Sequence, residues 1–283
     1  MNDKSRIRKA VIPAAGHGTR LRPLTNIAPK ELLPLGSKPA AQFIVEELHA
    51  IGIEDIIFVV SPNKQGIQDY FGDAACGGDV RISYVFQETQ RGLGDAILRA
   101  EHAVEGEDFI VALGDSVITS GGERELPVKR LMNAYESNPA SAAIIVERVP
   151  IEDSHMYGMV APVDEAKGAF EIRDLIEKPK PENAPSNCAI AGRYIFRPEI
   201  FDWIRRTPPG FGGELQITDS VRLSMQNGNR AWCVVLEDGE NRYDIGSISA
   251  YCQAFTAMCM LDPELSQVVC GIVEDKTARR IAG

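Results

Sequence analysis

Three short runs in the first 113 residues contain no polar position: 10–12, 56–60 and 109–113. A strand that is apolar throughout must be buried on both faces, which calls for helices on either side of a mainly parallel sheet. Between these runs, residues 43–48 and 96–104 carry helical periodicity, and 82–86 reads as a further strand. That alternation is the mark of βαβ units and predicts an α/β fold. Beyond residue 140 the pattern changes. Residues 142–146, 159–163, 170–176 and 189–196 read as successive strands separated by turn residues, followed by helical stretches at 201–206 and 215–225. A strand at 232–236 and an apolar, helix-like stretch at 248–261 complete the pattern. No repeat, low-complexity tract or Ser/Gly linker interrupts it. The reading is one α/β unit with a mixed-sheet insertion.

Charge and cysteine usage remove several function classes. Forty acidic against thirty basic side chains leave a net charge of −10, which disfavours gripping a nucleic-acid polymer or an anionic membrane. Small anions are untouched by that argument, because they sense local charge. Residues Met1 to Arg6 lead into no apolar signal core. Runs such as 142–146 fall far short of the roughly 20 apolar residues that span a bilayer. The six cysteines (76, 188, 233, 252, 259 and 270) form no CxxC pair and no cluster at zinc spacing. The expectation is a soluble, reduced, cytoplasmic protein, with Cys252 and Cys259, seven apart, filling core on one helix face.

The loop after the first strand carries the strongest chemical signal: Gly16-His17-Gly18-Thr19-Arg20, with Pro29-Lys30 downstream. Glycines directly after a strand let backbone N–H groups approach a phosphate and form an anion-binding nest. The dinucleotide fingerprint would need a third glycine where Leu21 stands, and the P-loop spacing is absent. The loop instead offers two cations, Arg20 and Lys30, beside the glycines, an arrangement suited to a triphosphate. Asp115 follows the third apolar run, where open α/β sheets place ligands, and a carboxylate there can hold Mg²⁺ against phosphates. A turn aspartate is the plain alternative. Glu177-Lys178-Pro179 pairs an acceptor for sugar hydroxyls with an ammonium for a phosphate, or is a surface ion pair before a turn proline. His17 reads as a spacer, and His49, His102 and His155 as surface or helix-face residues.

Together with Pro29-Lys30-Glu31-Leu32-Leu33-Pro34-Leu35, Tyr157-Gly158, Glu177-Lys178-Pro179-Lys180, Pro185-Ser186-Asn187 leading to Gly192-Arg193-Tyr194, and Glu214-Leu215-Gln216-Ile217-Thr218-Asp219, the loop resembles the sugar-1-phosphate nucleotidyltransferases. Within them it is most similar to the bacterial UTP–glucose-1-phosphate uridylyltransferases. The resemblance runs from about Lys9 to Phe255. It implies a Rossmann-like, mostly parallel mixed sheet flanked by helices, with a mixed β insertion for the sugar and a C-terminal helical segment. The implied catalytic domain is 8–256, with a nucleotide half to about 140 and a sugar half from about 141 to 256, followed by a tail over 257–283.

The implied reaction is Mg²⁺-dependent in-line attack of glucose 1-phosphate on the α-phosphate of UTP. Arg20, Lys30, Asp115, Lys178 and Asp244 are the implied catalytic residues, with Asp115 and Asp244 (in Tyr243-Asp244-Ile245-Gly246) holding the metal. Ala14, Ala15, Gly16, Gly18, Thr19, Arg20, Lys30, Gln87 and Gly92 fall to the nucleotide. Gly158, Glu177, Lys178 and Gly192 fall to the sugar. The Gln87 amide, offering a donor and an acceptor, suits the imide edge of uracil or thymine. A thymidylyltransferase making dTDP-glucose, an enzyme for another hexose, and a non-catalytic sugar-nucleotide sensor are the competing readings. Ile12-Pro13-Ala14-Ala15-Gly16 and Glu31 after Lys30 lean toward UTP, and none of the five catalytic positions is broken. The short Gly-rich stretch between Phe71 and Arg81 departs from the longer charged insertion of the family. Val268, Val269, Ile272 and Val273 in the tail fit either a second copy of the chain or intramolecular docking.

Overall fold

Residues that alternate between two apolar layers place a strand at the centre of a sandwich, and β1 and β4 do so residue by residue. The computed structural model describes residues 7–120, 125–164 and 168–281, with side chains to 274. The Met1 to Arg6 segment and the last two residues of the tail, on which expectations were placed above, lie outside the described residues. The strands are β1 (Lys9–Pro13), β2 (Pro34–Leu35), β3 (Lys38–Pro39), β4 (Asp55–Val60), β5 (Ala74–Ala75), β6 (Val80–Phe86), β7 (Phe109–Ala112), β8 (Ser116–Thr119), β9 (Ala142–Arg148), β10 (Gly158–Pro162), β11 (Ala169–Glu177), β12 (Cys188–Phe196), β13 (Ala231–Val235) and β14 (Asn241–Asp244). The helices are α1 (Ala40–Ala50), α2 (Gln65–Phe71), α3 (Leu93–Arg99), α4 (Glu101–Val104), α5 (Pro127–Ser137), α6 (Ile200–Arg206), α7 (Ile217–Gln226), α8 (Ile248–Leu261) and α9 (Pro263–Ile281).

Ten of these strands form one sheet in the order β10-β11-β13-β9-β12-β7-β1-β4-β6-β5. The first half is parallel, β7, β4 and β6 all running with β1. The second half is mixed, and β12 joins it directly to β7 by an antiparallel ladder from Arg193↔Ala112 to Phe196↔Phe109. Ile56, Phe58 and Val60 of β4 face a layer built with α1, α2, α5 and α8. Ile57 and Val59 face a second layer built with α3, α4, α6 and α7. Two apolar layers explain why no polar residue breaks these strands. The 96–104 helical stretch is two short helices meeting at Ala100.

The 71–81 stretch closes as the two-residue strand β5 paired on β6, with a short turn of helix at Cys76–Gly78. Cys259 is core filling, whereas Cys252 on the same helix is exposed. In the tail, Val268 and Ile272 are exposed. Among the described residues no helix is long and apolar enough to cross a membrane.

The element that matters most for chemistry is the small antiparallel pair β8–β14. Its register sets Ser116 opposite Asp244, and Ile245 N–H donates to the Asp115 carbonyl at 3.0 Å. Two aspartates 129 positions apart in the chain thereby meet at one ladder rung, Asp244 in it and Asp115 next to it.

Candidate active site

β1, β6 and β7 run in parallel, so their C-terminal ends open on one edge of the sheet, where α/β folds bind ligands. There the Gly16 loop, Gln87 and Asp115 line a cleft of about 400 Å³ with residues of β10, β11, β12 and α7. Ala15, Gly16, Arg20, Lys30, Gln87, Gly92, Asp115, Gly158, Glu177, Lys178, Gly192 and Asp244 all line it. Ala14, Gly18 and Thr19 are not among the lining residues. Ala14 is buried and its carbonyl accepts from Lys64 Nζ at 2.6 Å. Gly18, in the left-handed region at φ 61, backs onto Thr25, whose hydroxyl donates to the Gly18 carbonyl at 2.9 Å.

Within the cleft, Lys30 Nζ donates to Asp115 Oδ2. Burial works against the Lys30 charge, but the carboxylates of Asp115, Glu31 and Asp244 outweigh it and hold the ammonium well above the ordinary lysine value. Burial alone would also raise Asp115, yet the Lys30 cation wins and keeps that carboxyl below its usual range. Among the described residues no lysine or arginine hydrogen-bonds Asp244, whose Oδ1 accepts from the Gly246 N–H. Burial, and then repulsion from Asp115, push it up, while Arg242 Nη1 stands 3.6 Å away. Gly246 allows the crowding: a Cβ there would lie 2.7 Å from Asp244 Oδ1 and 3.0 Å from Arg20 Nη2. Two converging carboxylates that repel each other are hard oxygen donors of the kind a magnesium ion shares with substrate phosphates and water. No group of three or more His, Cys, Asp or Glu among the described residues could hold a metal unaided. A cation here would complete its shell from the substrate.

Glu31, which from sequence serves only as a pointer to the base, pairs here with Lys64, to which the sequence assigns no role. Both are buried, and Lys64 Nζ donates to Glu31 Oε2 at 2.8 Å, beside the start of the Gly16 loop. Burial raises the carboxyl and lowers the ammonium, each against the pull of its partner. The pair pins the Ala14 carbonyl and so the entry to the Gly16 loop.

In the same cleft, Glu177 ends β11 and Lys178 follows it. Glu177 Oε2 accepts from the Thr218 hydroxyl at 2.7 Å. Gly158 is required by crowding, since a Cβ would stand 2.8 Å from Ile190 Cδ1 and 3.0 Å from both Glu177 Oε2 and Thr218 Oγ1. Lys178 holds a left-handed backbone at φ 45, with its N–H donating to the Tyr157 carbonyl at 3.0 Å. Its ammonium lies 3.7 Å from Glu177 Oε1 and 5.3 Å from the centre of the exposed Phe211 ring. Gly192, at φ 77, sits where β12 shifts register between Ile190 and Tyr194. Arg193, fully buried, donates to the Gly192 and Ser116 carbonyls at 3.1 and 3.0 Å and pairs with Glu47 at 2.7 Å. Arg242, which no motif marks, stacks at 4.7 Å on the ring of Tyr157 from the Tyr157-Gly158 motif.

Beside Gly92 the cleft is closed by backbone. Leu215 N–H donates to the Arg91 carbonyl at 2.7 Å and Gly94 N–H to the Leu215 carbonyl at 2.8 Å. Gln87, almost fully buried, stands beside this zipper at the end of β6.

The nucleotidyl transferase family model matches residues 9–260. A UTP–glucose-1-phosphate uridylyltransferase of Staphylococcus epidermidis is 39% identical over an alignment covering 93% of this chain and 96% of the relative. A solved UDP-glucose pyrophosphorylase complexed with UDP-glucose superposes with a TM-score of 0.82 at 35% identity, over 89% of this chain and 98% of that one. The UTP-bound UGPase of Acinetobacter baumannii superposes with a TM-score of 0.85 at 28% identity, over 95% and 99%.

Proposed function

The chain belongs to the nucleotidyl transferase family, and from that premise we propose that it joins the uridylyl group of UTP to glucose 1-phosphate. A phosphate oxygen of the sugar attacks the α-phosphorus in line, the bond to the bridging β-phosphate oxygen breaks, and pyrophosphate leaves with UDP-glucose as the other product. The names of the relatives supply the substrates. The single observation that carries the reading is the convergence of Arg20, Lys30, Asp115 and Asp244 in one cleft that also holds Glu177 and Lys178.

The attacking group needs no general base, because a phosphate monoester is largely dianionic at neutral pH, its second pKa being about 6. Catalysis then reduces to positioning and charge neutralisation. The Gly16 nest receives the triphosphate, and Arg20 and Lys30 bear on the charge that grows on pyrophosphate. Lys30 suits this because it is held charged. Lys178 orients the sugar phosphate and Glu177, aimed by Thr218, accepts from hexose hydroxyls. Gly158 and Gly192 let the hexose lie close to backbone, while Gln87 and Gly92 meet the base. Asp115 and Asp244 would hold Mg²⁺, which when bound offsets phosphate charge at the reacting centre. With all six cysteines unpaired, the reading places the enzyme in the reducing cytoplasm.

Purified protein supplied with UTP, glucose 1-phosphate and Mg²⁺ should release pyrophosphate. A panel of nucleoside triphosphates crossed with sugar 1-phosphates then ranks bases and hexoses. Strong turnover with another pair and none with this one would replace the assignment. Uracil and thymine differ by one methyl, a weak basis for discrimination, so UTP and dTTP are best compared in direct competition.

A further inference from the structure

The Gln87 amide is not free to present either face to the base. Gln87 Nε2 donates to Asp95 Oδ2 at 2.7 Å and to the Gly92 carbonyl at 3.3 Å. An amide nitrogen carries two hydrogens, so both are spent on the protein. Asp95 is buried in the first turn of α3, and its other oxygen takes Arg99 Nη2 at 2.6 Å, with Arg91 Nη2 at 3.5 Å. An ion-paired carboxylate can only accept, so it dictates which end of the amide faces it. Gln87 Oε1 takes no hydrogen bond from any described residue, and the side chain lines the cleft. The donor-plus-acceptor expectation stated from sequence therefore narrows to an acceptor.

We propose that Asp95 is a positioning residue for base selection: by holding Gln87 with Oε1 toward the ligand, it makes the site demand a ring N–H donor from the base. The inference rests on the proposed role of Gln87 as the residue that meets the base. Uracil and thymine carry such a donor at N3. Cytosine presents a lone pair at the same position and meets Oε1 acceptor to acceptor. A site whose polar group is left unpaired or opposed rejects the wrong ligand far more strongly than one that merely lacks a contact. The 5-position is not read by this bond, so thymine is tolerated as far as Asp95 and Gln87 are concerned.

Wild-type protein should turn over UTP and 5-methyl-UTP while rejecting CTP and N3-methyl-UTP. Asp95→Asn offers either an N–H or an oxygen to Gln87 and releases the constraint. The UTP-over-CTP preference in kcat/KM should then fall by on the order of tenfold or more, with the loss in KM for UTP rather than in kcat. In a Gln87→Ala background the same Asp95→Asn change should leave the preference where Gln87→Ala put it, because Asp95 acts only through that amide. A purely structural role would move both backgrounds alike. Comparable use of CTP and UTP by the wild type, or an unchanged preference in Asp95→Asn, overturns the inference. Calorimetric binding of UMP against CMP reads the same preference without turnover. Failure of the uridylyl-transfer reading would show separately, as absent pyrophosphate release by the wild type.

Discussion

Gly92→Ala isolates the role of close backbone approach in shaping the cleft. Gly92 adopts φ 108 and ψ 175, a region open essentially to glycine alone. An added Cβ would stand 2.6 Å from the Leu215 carbonyl oxygen, 2.8 Å from its nitrogen and 2.9 Å from Glu214 Cβ. Two of the three are backbone atoms, which cannot swing aside as a side chain does. Relaxing the first contact to an ordinary 3.4 Å separates the two segments by about 0.8 Å. A displacement of that size stretches the 2.8 Å bond from Gly94 N–H to the Leu215 carbonyl out of hydrogen-bonding range. Backbone strain costs about 1–3 kcal/mol and each lost hydrogen bond about 1 kcal/mol. The expected destabilisation is about 2–5 kcal/mol, within the total of about 5–15 kcal/mol for a folded domain. The variant should fold but melt several degrees lower. Because the zipper joins the Gln87 segment to the start of α7, the KM for UTP should rise by roughly tenfold to a hundredfold. Thermal melting with steady-state kinetics against each substrate reads both effects. A variant that melts within about 1 °C of the wild type and keeps its KM for UTP would refute the steric reasoning.

Thr218→Val removes the hydroxyl that donates to Glu177 at nearly constant shape. It should raise the KM for glucose 1-phosphate about tenfold, leaving that for UTP unchanged, since a hydrogen bond to a charged group contributes about 1.5–3 kcal/mol. Asp244→Ala should abolish Mg²⁺-dependent pyrophosphate release while circular dichroism stays native; an active variant removes Asp244 from the metal site. Asp115→Ala should do the same and also lower the pKa of Lys30, because burial then goes unopposed by its nearest carboxylate. Arg193→Ala leaves Glu47 buried and unpaired, and should cost about 3–5 kcal/mol, read as a lower urea midpoint.

Much of the scaffold is legible locally. The runs at 56–60 and 109–113 could be strands only if covered on both faces, and β4 and β7 are so covered. The apolar stretch at 248–261 is α8 with the same bounds. The site was legible where chemistry and motif coincide, as at Arg20, Lys30, Asp115 and Lys178. Asp244 was reached only by resemblance. β8 and β14 are four residues each and lie more than a hundred positions apart, so no local pattern announces that they pair. Lys64 and Arg242 look like ordinary surface charges in a sequence, and nothing local marks the motif residues Glu31 and Arg193 as buried, because burial is a property of what packs around a side chain.

What the sequence alone determined is the kind of fold and the inventory of charges, since hydrophobic period and residue type are local quantities. The tertiary structure alone decided which charges meet and which way they face. Lys30 lies on Asp115, Glu177 is aimed by Thr218, and the Gln87 amide is turned by Asp95. Each is a contact across at least eight residues of chain, and hydrogen-bond direction and electrostatic sign follow from distances that only the folded chain contains.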